Sequence, residues 1–150
     1  MPMKHKYYMG IALAAAARAA QQGETPVGAV IVQDGKILAV AGNSREQDKD
    51  PTAHAEITAL RQAAQVWGDW RLYGSTVYVT LEPCPMCTGA LLQARVKTVY
   101  YGASDPKGGA LGSLVDMSFI PGFNHCLEVH GGLLADKAAK QLKQFFRSLR

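Results

Sequence analysis

Helical and extended segments alternate along this sequence in an order that predicts an α/β domain: a mixed central sheet covered by helices on both faces. Three observations carry that expectation. Two β-branched, apolar runs, residues 26–33 (PVGAVIVQ) and 36–41 (KILAVA), flank Asp34-Gly35, a strong hairpin signal that makes one strand pair antiparallel. Two further strand-like runs, 76–80 (TVYVT) and 97–101 (KTVYY), are set apart by helix-forming stretches. The chain opens on an alanine-rich helix and closes on an amphipathic one.

Each element has its own local reason. Residues 9–22 are rich in alanine, the best helix former, and Gly23 closes the helix. Residues 42–51 are polar and read as a loop, after which Thr52 is positioned to cap a helix over 53–65. Residues 83–94 carry Cys84 and Cys87 and then turn helical, with Pro85 suited to a first helical position. Residues 102–112 are glycine-rich and expected to be exposed, and 126–129 form a short, weaker strand with Cys126 as a buried thiol. Residues 133–150 make the last helix, with a basic outer face. The expected order is α-β-β-α-β-α-β-(β)-α. No repeat, low-complexity tract or linker divides the 150 residues, so residues 1–150 are expected to form a single domain.

Composition excludes several classes. Apolar residues make up 48% and charged residues 19%, which is neither disordered nor fibrous. The longest apolar run, residues 11–17, is too short to span a membrane and lacks a signal-peptide cleavage pattern. A cytoplasmic, reducing environment is the expectation, and three cysteines do not make a disulfide framework. A net charge of +4 is compatible with a polyanionic partner without demanding one.

Two segments carry chemistry. His54-Ala55-Glu56 opens one helix, and Pro83-Cys84-Pro85-Met86-Cys87 opens the next. Corners between strands and helices line one edge of an α/β sheet, so one fold can bring His54, Cys84 and Cys87 together. Imidazole and thiolate are zinc ligands. Three protein ligands leave a fourth position for water, which is the catalytic arrangement. Helix N-termini favour the thiolates. Glu56, two residues beyond the histidine, has the chemistry to carry protons between that water, a ring nitrogen and a leaving amine. A lone His-x-Glu carries no signal, and a lone Cys-x-x-Cys is shared with redox pairs and structural zinc sites. Joined, they make the known pattern of zinc nucleobase deaminases. His5, His125 and His130 are expected at the surface or in packing.

The chain resembles the bacterial tRNA-specific adenosine deaminase family of the cytidine deaminase-like superfamily. The resemblance covers nearly all of the sequence. It rests on Pro26-Val27-Gly28-Ala29-Val30, Asn43 and Asp50-Pro51-Thr52-Ala53-His54-Ala55-Glu56. It continues in Tyr78-Val79-Thr80-Leu81-Glu82-Pro83-Cys84 with Cys87, Tyr101-Gly102-Ala103 with Asp105, and Phe145-Phe146-Arg147. Pro85, where an ordinary residue is more usual, is a departure, as is the absence of the longer basic tail of some relatives. The resemblance implies a three-layer α/β/α cytidine deaminase-like fold with a central five-stranded mixed sheet, and a homodimer with active sites near the subunit interface. It also implies one Zn2+ per chain on His54, Cys84 and Cys87, with Glu56 shuttling protons. Asn43, Val27 and the Ala55 N–H would contact a flipped nucleoside. Asp105, Phe145, Phe146 and Arg147 would hold a tRNA anticodon stem-loop, with Lys107 expected among the phosphate contacts.

Other readings stay open. Phe145 and Phe146 could pack the last helix onto the sheet, Arg147 could be a solvated charge, and Asp105 could cap a turn. Against hydrolytic deamination of adenosine to inosine at the wobble position stand two alternatives. One is a free-base or nucleoside deaminase acting on guanine or cytosine. The other is a non-catalytic zinc module binding RNA, which has no need of Glu56.

Overall fold

The computed structural model describes residues 2–150. Its elements are α1 (Met3–Gln21), β1 (Gly28–Gln33), β2 (Lys36–Gly42), α2 (Arg45–Asp48), α3 (Ala55–Trp67), β3 (Thr76–Leu81), α4 (Pro85–Gln93), β4 (Thr98–Ala103), β5 (Glu128–His130) and α5 (Ala135–Ser148). The five strands form one sheet in the order β2-β1-β3-β4-β5. β1 runs antiparallel to both of its neighbours, β2 and β3, while β3, β4 and β5 are parallel. The five-stranded mixed sheet is therefore as expected.

Every residue of β1 is buried, because the sheet is covered on both faces. Alternation along the strand divides the core in two. Ala29 and Ile31 face the α3–α4 layer with Val77, Val79, Leu91 and Val99. Val30 and Val32 face the α1–α5 layer with Met9, Leu13 and Tyr78. Each fully buried aliphatic side chain contributes about 1.5–3 kcal/mol. Gly28 sets how closely α1 lies on the sheet: a Cβ there would stand 1.9 Å from the carbonyl oxygen of Ala12. Only glycine allows that approach of two backbones.

Several local expectations are corrected. α1 starts at Met3, not residue 9, because His5 and Tyr8 pack their rings against Tyr78. Thr52 does not cap α3. Its hydroxyl and N–H both donate to Asp50, and the helix begins at Ala55 with His54 in the N-cap position. The supposed loop of 42–51 contains α2. Cys126 is exposed and precedes β5, which is an edge strand starting at Glu128. The glycine-rich segment is only partly exposed: Ala110 and Leu111 are buried. His125 bonds the Val96 carbonyl, and His130 stacks on Tyr100, so both are packing residues. Among the described residues no helix is long and apolar enough to cross a membrane.

Candidate active site

The site lies where two chain reversals place two helix starts side by side. β3 ends at Leu81, and Cys84 then takes the N-cap position of α4, with Pro85 in the first turn. His54 is the N-cap of α3 and makes no side-chain cap bond, so its ring is free to face the cysteines. The His54 Nδ1 lies 3.6 Å from Cys84 Sγ and 3.4 Å from Cys87 Sγ. All three ligand atoms fall within 4.8 Å of one another, and Cys87 is fully buried.

These spacings suit zinc. A tetrahedron with bonds of about 2.3 Å to sulfur and about 2.0–2.1 Å to nitrogen has N···S edges of about 3.5 Å. The donor set is soft and small, which favours zinc over magnesium or calcium. The electrostatics prepare a thiolate: the Cys87 thiol, helped by His54, holds Cys84 down to about 4 against the opposing effect of burial. Cys84 and burial push Cys87 up in turn.

Glu56 sits in the first turn of α3 and is 4% exposed, beside Cys87. Burial pushes its carboxyl up to about 7, the range in which an acid both takes and gives a proton near neutrality. His54, Ala55, Glu56 and Cys84 line a cleft of about 140 Å³ together with Val27, Asn43 and Asp105. Asn43 is almost buried, and its Oδ1 has no hydrogen-bond partner. A buried acceptor without a partner at a cleft wall is open to a hydrogen bond from whatever enters the cleft. The Ala55 N–H belongs to the first helical turn, where N–H groups lack intrahelical acceptors.

The outer residues divide. Asp105 lines the cleft and also caps its own turn, accepting from the N–H groups of Lys107 and Gly108. Lys107 is exposed and outside the cleft. Phe145 and Phe146 form an edge-to-face pair with centroids 5.4 Å apart. They line a second groove, shared with Asn43 and Arg45, next to the cleft. Arg147 lies on another groove of α5 with Lys140 and Lys143.

Sequence reasoning missed four residues of this region. Thr25 and Arg45 line the cleft, and Arg45 was hidden in α2. Ser44 precedes α2 but does not cap it: its hydroxyl donates to Asp48. Glu24 and Glu82 are buried acids, the first holding the start of α2 and the second holding a loop. Glu24 accepts from the N–H groups of Glu46 at 3.1 Å and Gln47 at 2.8 Å. Glu82 accepts from the N–H groups of Asp105, Leu111 and Ser113 and from the Ser113 hydroxyl. Burial alone would raise the Glu82 pKa, but those four donors outweigh it, and the carboxyl sits below its ordinary value.

A three-layer α/β/α fold with this donor group and an adjacent buried acid defines a hydrolytic nucleobase deaminase. The model of the MafB19-like deaminase family matches residues 3–150. The tRNA-specific adenosine deaminase of Bacillus subtilis (strain 168) is 47% identical over 143 residues, covering 95% of this chain and 89% of that protein. A structure from a study of A-to-I editing by tRNA:A34 deaminases at the wobble position of transfer RNA matches with TM-score 0.85 and 43% identity. The match covers 91% of this chain and 99% of that one. A guanine deaminase from Bacillus subtilis is 42% identical with TM-score 0.65, covering 69% of this chain and 66% of its own. The chain belongs to the tRNA-specific adenosine deaminase family.

Proposed function

We propose that this chain converts the adenosine at the first anticodon position of a transfer RNA to inosine, with one zinc ion held by His54, Cys84 and Cys87. The observation that carries this reading is the buried Glu56 carboxyl beside a three-donor group at one cleft. When bound, zinc supplies a water acidified towards a pKa of about 7. Glu56 takes one proton from the attacking water and delivers it to ring nitrogen N1, then takes the second from the new C6 hydroxyl and delivers it to the departing exocyclic amine. A C6–O bond forms, the C6–N bond breaks, ammonia leaves, and nothing is oxidised or reduced. Asn43 Oδ1 and the Ala55 N–H orient the base, while Val27 walls it from water.

The base must be out of its stack to reach Glu56, and that is least costly in a loop. Asp105 at the cleft wall, Phe145 and Phe146 in the adjoining groove, and Arg147 and Lys107 at the surface hold such a loop. We assign a homodimer as well. Ile57, Leu60, Ala64, Trp70, Ala90 and Ala94, with Arg61 and Gln93 among them, line a largely apolar groove between α3 and α4; Trp70 is 52% exposed, and Trp67, at the end of α3, is 45% exposed. A contiguous apolar patch of this kind marks an interface. A cytoplasmic location, with the transfer RNA pool, fits this activity.

A second reading is a free guanine deaminase, favoured by the likeness to the Bacillus subtilis enzyme. A parallel assay separates the two by offering an anticodon stem-loop, free adenosine, guanine and cytosine. Inosine in the stem-loop is expected, labelled when the reaction runs in heavy-oxygen water, with little turnover of free adenosine. Rapid loss of guanine or cytosine with an untouched stem-loop would replace the first reading with the second.

A further inference from the structure

We infer that Glu82 is a positioning residue that fixes one wall of the substrate cleft to the turn carrying Cys84, and that Gly109 exists to admit its carboxylate. The inference rests on the deaminase reading for its substrate but not for its geometry. Glu82 is 2% exposed and lies between the end of β3 and Pro83-Cys84. Its Oε1 accepts from the Asp105 N–H at 3.1 Å and from the Ser113 hydroxyl. Its Oε2 accepts from the Leu111 N–H at 2.9 Å and the Ser113 N–H at 3.1 Å. One side chain thus satisfies donors at both ends of the 105–113 segment.

The backbone around it repeats the tie. The Ala110 N–H donates to the Pro83 carbonyl at 2.8 Å, and the Glu82 N–H to the Ala103 carbonyl at 2.8 Å. The fit leaves no room, since a Cβ on Gly109 would stand 2.3–2.5 Å from the Glu82 carboxyl atoms. Asp105, which lines the cleft, is therefore held at a fixed distance from Cys84 through Glu82. An acid is needed because four donors converge on two oxygens, and an amide would turn an NH2 towards two of them.

The test compares wild type with E82Q, G109A, E82Q/G109A and the milder S113A, which removes one donor and keeps the acid. Each is measured for bound zinc, stem-loop turnover and amide exchange at Asp105, Leu111 and Ser113. E82Q and G109A are expected to raise KM for the stem-loop at least tenfold, with kcat within about threefold and one zinc per chain retained. S113A should raise KM two- to fivefold. Faster exchange at those three amides should accompany the change. The double variant should be no worse than the poorer single one, because both substitutions act on one contact. Unchanged exchange in E82Q, or a loss in kcat alone, overturns the positioning role. An inactive wild type on the stem-loop would sink the RNA reading instead. The exchange arm, and the KM comparison on whichever base is deaminated, would still decide the role of Glu82.

Discussion

At the scale of single residues the proposed function separates three metal donors from a proton carrier. Cys87 is one of the three donors, so Cys87→Ala should lose metal and activity together, read by metal analysis and turnover on one sample. Zinc retained at one per chain in that variant would remove Cys87 from the ligand set. Glu56 is buried beside the group without belonging to it. Glu56→Ala should keep zinc and stem-loop affinity while turnover falls by about 10²–10⁴, the usual worth of general acid–base catalysis. Turnover near wild type would exclude it from the reaction. These four residues were legible because each type and spacing has a chemical reason. Glu24 and Glu82 were not. Their donors lie 22–31 positions away in sequence, and a single acid in a strand or turn does not reveal what it will hold.

At the scale of elements, the Asp34-Gly35 hairpin and the cysteine helix start stand where the pattern put them, while the histidine helix starts at Ala55 with His54, not Thr52, in the N-cap position. α2 and the first turns of α1 were not legible, because what stabilises them is contact with distant parts of the chain. α2 depends on Glu24 receiving its backbone N–H groups. The start of α1 depends on His5, whose Nδ1 is 2.6 Å from the Tyr78 hydroxyl and whose Nε2 is 3.1 Å from that of Tyr100. Burial, with Lys4 and His130 adding to it, holds the His5 pKa below its ordinary value. The folded protein therefore resists protonating it. Its stabilising contribution is complete above the unfolded value of about 6.5 and is lost as pH falls through the folded one. Glu56, raised to about 7, works in the opposite direction over the same range in both proteins, so the difference is read: the melting temperature of wild type relative to His5→Phe should fall between pH 7.5 and 5. An equal slope in the variant would show that His5 plays no part.

At the scale of the molecule, the two faces of the sheet have different surroundings. The α3–α4 face presents tryptophans and an apolar groove, whereas α5 presents Lys140, Lys143 and Arg147. Sedimentation should find a dimer, and a charged substitution such as Ala64→Glu in the groove should shift it towards monomer. Affinity for a stem-loop should fall as salt rises, and Arg147→Ala should reduce the log–log salt slope by roughly 0.7–0.9 if it contacts one phosphate. An affinity indifferent to salt would exclude phosphate contacts. A mixed sheet covered on both sides was legible from the run of elements. The order β2-β1-β3-β4-β5 was not, apart from the hairpin, because pairing β1 with β3 is decided by packing across more than forty residues.

The backbone contact between Gly28 and Ala12 bears on the order in which the chain acquires structure as it is made. α1, β1 and β2 interlock within the first 42 residues, and contacts so close in sequence form early. His54, Cys84 and Cys87 all follow that unit, so a ribosome will have released a helix seated on a hairpin before any metal donor emerges. Metal binding at the proposed donors would then be a late event on that platform, and a misplaced first helix would spoil it from a distance. Gly28→Ala, which drives a methyl group into the Ala12 carbonyl, should slow refolding about as much as it weakens the native state, the signature of a contact made in the transition state. Stopped-flow refolding would show it, and an unchanged folding rate with faster unfolding would place this contact late instead.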